Sequence, residues 1–309
     1  MKRLIIYSIL SVVTLCSYGQ SNFNKTEIKS IMKRVADWQI ANPATGAEHD
    51  DLNWTYAALY MGMIDWAELT EKEDGDSQYY NWLLKIGRRN AWQMGKYMYH
   101  ADFIAVGQVF LEMYQKYNDR NMMFPTLART EFVINHPSAS TLELDYRNMA
   151  SLERWSWCDA LFMAPPVYAK MYMLTNDWKY IEFMNREYKA TYDYLFDKEE
   201  ELFYRDHRYF KQKEANGKKV FWGRGNGWVL GGLCEILQTL PEITCTANST
   251  RISSSPCPTV SSGCRARTDI GMQVCWTQTL ILHPKQVPLA SLSMHWPMVS
   301  MKDCWIKPS

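Results

Sequence analysis

Most of the chain between residues 25 and 240 is written in helical periods, and this limits what it can fold into. Residues 25–40 place Ile28, Ile31, Met32, Val35 and Trp38 on one side of a 3.6-residue helix. Residues 53–69 do the same with Leu59, Met63 and Trp66. Stretches 102–117, 155–174, 179–195 and 227–240 follow, with Asp177 and Asp197 in the turns that bound them. Few segments alternate with period two, and none forms a series of strands. Long helices joined by short turns, with no heptad, predict an all-α fold of helix pairs packed in a ring or a solenoid. Periodicity does not separate those two. The 309 residues, 47 % of them hydrophobic, can bury one large core.

The two ends read differently from this body. Met1-Lys2-Arg3 is a short basic start, and residues 4–15 are an apolar run too short to span a bilayer. Ser17-Tyr18-Gly19 puts small residues at the third and first places before a cut ahead of Gln20. Residues 1–19 are therefore expected to be a signal peptide, and the mature protein periplasmic or secreted. Cys16 offers a lipoprotein site as the other reading, against which stands the bulk of Leu15. No later run has the roughly 18 apolar residues of a membrane helix, so no membrane span is expected.

Composition narrows the partners. Formal net charge is +1, which argues against nucleic acid. Six Lys or Arg after residue 242 face only Asp269 and Asp303, so the sum hides an acidic body, 20–242. Aromatics make up 14 %, with 13 Trp and 19 Tyr. Many are core, but in an exported protein such rings also stack on sugars. His49, His100 and His207 lack metal-ligand spacing, and no phosphate loop is present, so no metal or organic cofactor is expected. The sequence sets no oligomeric state.

Three stretches carry chemistry. In Trp155-Ser156-Trp157-Cys158-Asp159 one carboxylate stands among apolar neighbours. Burial there would raise its pKa, as a general acid requires; the plainer reading is a helix N-cap. Tyr99-His100-Ala101-Asp102 opens a helix, and Asp102 is either its cap or a second carboxylate of a site. Phe221-Trp222-Gly223-Arg224-Gly225-Asn226-Gly227-Trp228 combines close-approach glycines, a guanidinium suited to a carboxylate and a ring suited to a sugar. It also reads as a plain Gly-rich turn.

Together with Leu202-Phe203-Tyr204-Arg205-Asp206, the ordered motifs WxWCDALFMAPPV and FWGRGNGW resemble glycoside hydrolase family 105 over about residues 25–242. These are the unsaturated rhamnogalacturonyl hydrolases, relatives of the family 88 unsaturated glucuronyl hydrolases. The resemblance implies an (α/α)6 barrel with a pocket at one end. It implies Asp159 as general acid/base and Asp102 as supporting carboxylate. It places Trp157, Arg224 and Trp228 around the uronic acid, with Trp54 on an early pocket-lining helix. Arg205 stands near a position where some members carry His. The implied substrate is an unsaturated uronyl oligosaccharide left by lyases, of pectin type. Asp159 would protonate C4 of the C4=C5 double bond and water would add at C5, so the carboxylate-separation rule of ordinary glycosidases does not apply.

From Ile243 the chain scatters Ser, Pro, Thr and five cysteines without helical or strand period. A disulfide framework is one reading of those cysteines. The other is a change of reading frame near Glu242. Joining the last base of each codon to the first two of the next, residues 293–306 (SMHWPMVSMKDCWI) fix Ala-Leu-Ala, Gly, Glu and Leu-Leu-Asp whatever codons were used. The expectation is thus a signal peptide (1–19), an incomplete barrel (20–242) and an irregular out-of-frame tail (243–309). Two functional classes remain open: an active hydrolase, or a non-catalytic remnant that binds uronides weakly.

Overall fold

A computed structural model of the protein describes residues 24–43 and 50–240. The expected leader, 1–19, and all that follows 240, including the expected tail, lie outside those residues. The chain falls into two compact units, Met1–Thr45 and Gly46–Ser309. The described part of the first is helix α1, Lys25–Ala41, capped by the Asn24 side chain, which accepts the Thr26 N–H.

The second unit alternates inner and outer helices. In chain order it holds α2 (Trp54–Asp74), α3 (Gln78–Arg89), the one-turn α4 (Ala101–Ile104), α5 (Gly107–Tyr117) and α6 (Arg120–Asn135). The one-turn α7 (Ala160–Met163), α8 (Pro165–Thr175), α9 (Lys179–Leu195) and α10 (Gly223–Thr239) follow. Helices α2, α5, α8 and α10 pack on one another in succession, while α3, α6 and α9 each cover the inner helix before them. This is the in-and-out winding of the expected (α/α)6 barrel. The strands described are β1 (Phe196–Asp197) and β2 (Leu202–Phe203), paired antiparallel with Phe196 opposite Phe203. Among the described residues no helix is long and apolar enough to cross a membrane.

The two ends of the barrel are built differently. Inner helices α2, α5 and α8 each stop at a left-handed residue: Gly75 (φ 69°), Asn118 (φ 53°) and Asn176 (φ 55°). Gly and Asn tolerate that conformation best, so the chain reverses there within two or three residues into an outer helix. The returns from outer to inner helix are long: 90–106, 136–164 and 196–222. They gather where the inner helices begin.

Three expected helices differ in their bounds. Stretch 102–117 is interrupted between α4 and α5. Stretch 155–174 turns helical only at Ala160 and breaks at Ala164, because Pro165 and Pro166 have no N–H to continue the ladder. Helix α10 begins at Gly223, so the Gly-rich motif is the first turn of a helix rather than a loop. Helices α3 and α6 were not read from the sequence; Pro125 and mixed polarity mask α6.

The proline break leaves carbonyls without helical donors. Gln108 of α5, fully buried, answers it by donating from Nε2 to the oxygens of Phe162 (3.0 Å) and Met163 (3.2 Å). On the other side α10 comes so close that a Cβ at Gly232 would lie 2.2 Å from the Leu161 oxygen and 2.7 Å from the Phe162 Cα. Those are backbone atoms that cannot swing aside. At the far, short-turn end, Lys170 is 7 % exposed and meets Glu112 at 2.6 Å and Glu235 at 3.9 Å. This group and Asp65 line a cavity of about 750 Å³. Burial opposes the Lys170 charge, but Glu112 and Glu235 outweigh it and hold its pKa above the usual value. Burial also raises Glu235, against the pull of Lys170.

Gly232→Ala should force α10 off α7 and cost about 1–3 kcal/mol, the usual range for overpacking a filled site, read from urea unfolding midpoints. Lys170→Met should cost about 3 kcal/mol, because it leaves buried carboxylates without their cation. The sign of its pH dependence follows from Glu235, whose raised pKa means that ionising it weakens the fold as pH rises. Lys170 offsets that penalty, so the variant should lose more stability at pH 8 than at pH 5. An equal loss at both values would show that the ion pairs are idle.

Candidate active site

The long returns bring their polar residues to one cavity of about 120 Å³ at the N-terminal ends of the inner helices. Its lining includes Trp54, His100, Asp102, Tyr146, Trp157, Asp159, Arg205, Trp222 and Arg224. From Trp54 to Asp65, or from Arg224 to Glu235, is eleven residues, about 16 Å along a helix. The pocket and the Lys170 group are therefore separate layers of the barrel.

Asp159 occupies the N-cap position of α7, yet its side chain makes no capping bond. Its Oδ2 instead accepts the Cys158 S–H at 3.4 Å. It is 9 % exposed. Burial raises its pKa, against the Cys158 bond and the Arg205 and Arg224 charges, which lower it. Asp102 is not the cap of its helix either: His100 caps α4 through Nδ1, which accepts the Asp102 N–H at 3.1 Å. Burial, then the Asp159 charge, pushes Asp102 up to about 7. The Asp159 charge bears on Asp102, so the two carboxyl groups titrate as a coupled pair. Burial pushes His100 down to about 4, so its ring is neutral. With Nδ1 accepting, Nε2–H is left as a donor.

The three sequence motifs are knitted together here by backbone and amide bonds. Cys158 N donates to Arg205 O at 2.9 Å. Asn226 accepts the Phe203 N–H at 2.9 Å and returns its Nδ2–H to Phe203 O at 3.0 Å and Trp222 O at 3.1 Å. A Cβ at Gly225 would lie 2.6 Å from the Cys158 Sγ and 3.5 Å from Asp159 Oδ2, so the first turn of α10 can rest on the acid only because residue 225 is glycine.

The cations are ordered around Trp222. The Arg224 guanidinium lies 4.2 Å from that ring's centroid and that of Arg205 5.4 Å. Arg205 bonds the Tyr146 hydroxyl at 2.6 Å and the fully buried Asp206, which also takes two bonds from Arg208 at 2.7 and 2.9 Å. Tyr146 is held in place from behind, where Leu144 N donates to His207 Nδ1 at 3.0 Å and Asp145 N to Ser151 Oγ at 2.9 Å.

Of the residues singled out in the sequence, Asp102, Asp159, Trp54, Trp157, Arg205 and Arg224 meet in this cavity. Trp228 does not line it. It is buried behind the wall, edge-on to Trp54 at 6.0 Å and against Phe162 at 4.6 Å. Because α10 starts at Gly223, residue 228 falls more than a turn inside the helix, and the ring that reaches the cavity is Trp222. His100 and Tyr146 were also unassigned. Tyr146 lies in an aperiodic return, where sequence carries no positional signal.

The Glycosyl Hydrolase Family 88 profile matches residues 25–256. An unsaturated 3S-rhamnoglycuronyl hydrolase of Alteromonas sp. (strain LOR) is 34 % identical over 238 residues, covering 70 % of this chain and 57 % of its own length. One from Formosa agariphila is 36 % identical over 246 residues, covering 75 % and 62 %. The chain thus spans less than two thirds of the length of the relatives it matches. Among solved structures, a family 88 glycosyl hydrolase from Bacteroides vulgatus superposes with a TM-score of 0.55 at 24 % identity, covering 72 % of this chain and 64 % of its own. A family 105 glycoside hydrolase from C. acetobutylicum ATCC 824 gives 0.54 at 20 %, covering 71 % and 61 %. At these identities the structures speak for the fold, the (α/α)6 type. The profile match and the two relatives go further: this chain belongs to glycosyl hydrolase family 88.

Proposed function

We propose that the protein is a glycoside hydrolase that removes a C4=C5-unsaturated uronic acid from the non-reducing end of a lyase-generated oligosaccharide. The observation that carries this reading is Asp159: a carboxyl group at a helix start that does not cap, is buried, and is raised toward the pH at which acids serve as proton donors. The guanidiniums support an anionic sugar: Arg205 and Arg208 share Asp206, and Arg224 lies on Trp222 at the cavity, placed to take one carboxylate. Likeness to two unsaturated 3S-rhamnoglycuronyl hydrolases favours a uronic acid linked to rhamnose as the substrate class, a narrower choice than pectin fragments in general. Export to the periplasm or beyond, on the strength of the basic and apolar start, is part of the same proposal.

The chemistry follows from the vinyl ether. The Asp159 carboxylic acid gives its proton to C4, and positive charge develops across C5 and the ring oxygen. Asp102, beside it, stabilises that charge when ionised. Water adds at C5 and returns a proton to the Asp159 carboxylate. The hemiketal opens, C1 becomes an aldehyde, and the second sugar departs with its own oxygen. Arg224 fixes the uronate carboxylate with Trp222 beneath it, and His100 Nε2–H is available to a sugar oxygen.

Asp159→Asn keeps size and hydrogen bonding but carries no carboxylic proton. It should lower kcat/KM by about 10²–10⁴-fold, followed as loss of the ultraviolet absorbance of the double bond. Saturated disaccharides should not be cleaved by the parent at all; turnover of one would move the enzyme to another glycosidase class. The pH profile gives a second check. Burial holds the Asp159 pKa above that of a free carboxyl, so its acid form persists to higher pH and is then lost as pH rises further, and kcat/KM should fall on the alkaline side. Asp102→Asn removes the neighbouring charge that favours retention of the proton, and should shift that limb about one pH unit toward acid. A limb that stays in place would mean the two carboxyls are not coupled.

A further inference from the structure

Cys158 has no place in the reaction as described, yet it is fully buried against the proton donor. Three contacts fix it. Its N–H is tied to Arg205 O at 2.9 Å. Its Sγ lies 3.4 Å from Asp159 Oδ2. The missing Cβ of Gly225 leaves the room in which that sulfur sits. Burial, and then the Asp159 charge, pushes the thiol pKa well up, so it stays protonated and donates. The same wall closes over Oδ2, which faces Cys158 and Gly225.

We propose that Cys158 is a positioning residue for the proton donor: its S–H engages Asp159 Oδ2 and leaves Oδ1 as the oxygen that carries the transferable proton. This rests on the assignment of Asp159 as the acid. In the step, the Oδ1–H bond breaks, its electron pair stays on the carboxylate, and the proton forms the new C4–H bond; the thiol keeps its own proton throughout. A hydrogen bond to a carboxylate is stronger than one to a neutral carboxyl. The S–H bond therefore strengthens as Asp159 gives up its proton, and contributes most in the transition state. It also lowers the Asp159 pKa, opposing burial. The other charged or titratable groups at the cavity with this carboxyl are Asp102 and His100 at α4, Tyr146 in the return after α6, Arg205 in the return after β2 and Arg224 of α10, while the Asp206 charge bears on Cys158. None of them is altered by changes at residue 158.

The test uses the full chain, an unsaturated uronyl-rhamnose disaccharide and the variants Cys158→Ala and Cys158→Ser. With Ala, kcat should fall about tenfold at unchanged KM, a loss confined to the transition state. The alkaline limb should move to higher pH, because the bond that lowered the acid's pKa is gone. Ser, which keeps a donor, should restore most of both. A role in packing alone would lower stability without moving the limb. An independent reading comes from the Raman S–H band of Cys158, isolated by subtracting the Cys158→Ser spectrum; it should shift when Asp159→Asn removes the carboxylate. A parent-like rate and pH limb in Cys158→Ala overturns the proposal, and so does an S–H band unmoved by Asp159→Asn. Full activity of Asp159→Asn would instead overturn the assignment of the acid itself.

Discussion

The pocket depends on a break. Pro165 and Pro166 end the run that begins at Ala160 after a single turn, and the chain restarts as α8 on a new line. Without the break, Asp159 would stand at the head of one long helix, with its carboxylate free to cap it. Instead α7 is a short plug whose carbonyls must find donors elsewhere, since an unpaired buried carbonyl costs about 1–3 kcal/mol. Gln108 reaches across from α5 to supply them. Gly232 lets α10 close against the same turn from the other side. The acid is thus held by two neighbouring inner helices rather than by the helix it precedes.

What the break positions, burial then sharpens. Asp102 and Asp159 are brought together out of water, so each resists the ionisation of the other. A pair like this would repel the uronate of the proposed reaction. The arrangement of guanidiniums resolves the conflict: Arg205 and Arg208 share one fully buried carboxylate, and Arg224 rests on an indole face with the cavity in front of it. Positive charge therefore sits at the cavity, although the body of the chain is acidic.

Much of this was legible in the residues. Period 3.6 marked α9, which buries one clear stripe, and the inner helices α2, α5 and α10, where apolar residues recur at helical spacing. It missed α6, where Pro125 and scattered polar residues blur the stripe. The carboxylates were visible because Asp159 lies among tryptophans and Asp102 beside a helix start. Their freedom from capping was not, because that depends on a single backbone turn at Ala160 and on His100 taking the cap for itself. Trp222, not Trp228, lines the cavity for a similar reason: a Gly-rich string reads as a loop, and only packing against Cys158 shows that glycine there serves close approach within a helix. Tyr146 had no local signature, since its place is set by Arg205, more than fifty residues later.

The unequal ends of the barrel divide what sequence change can do to this protein. At Gly75, Asn118 and Asn176 the chain reverses within two or three residues, and an inserted residue there would shift two packed helices at once. The returns at 136–164 and 196–222 carry Tyr146, Asp159, Arg205 and Trp222, while their exposed stretches, among them 147–150 and 211–218, run between fixed anchors. Lengthening or exchanging them outside the anchors at Leu144, Ser151, Cys158 and Phe203 reshapes the mouth of the cavity while the helix lattice beneath stays as it is. Evolution, or an engineer, can retarget such a scaffold to a new oligosaccharide by editing one rim and leaving the other alone.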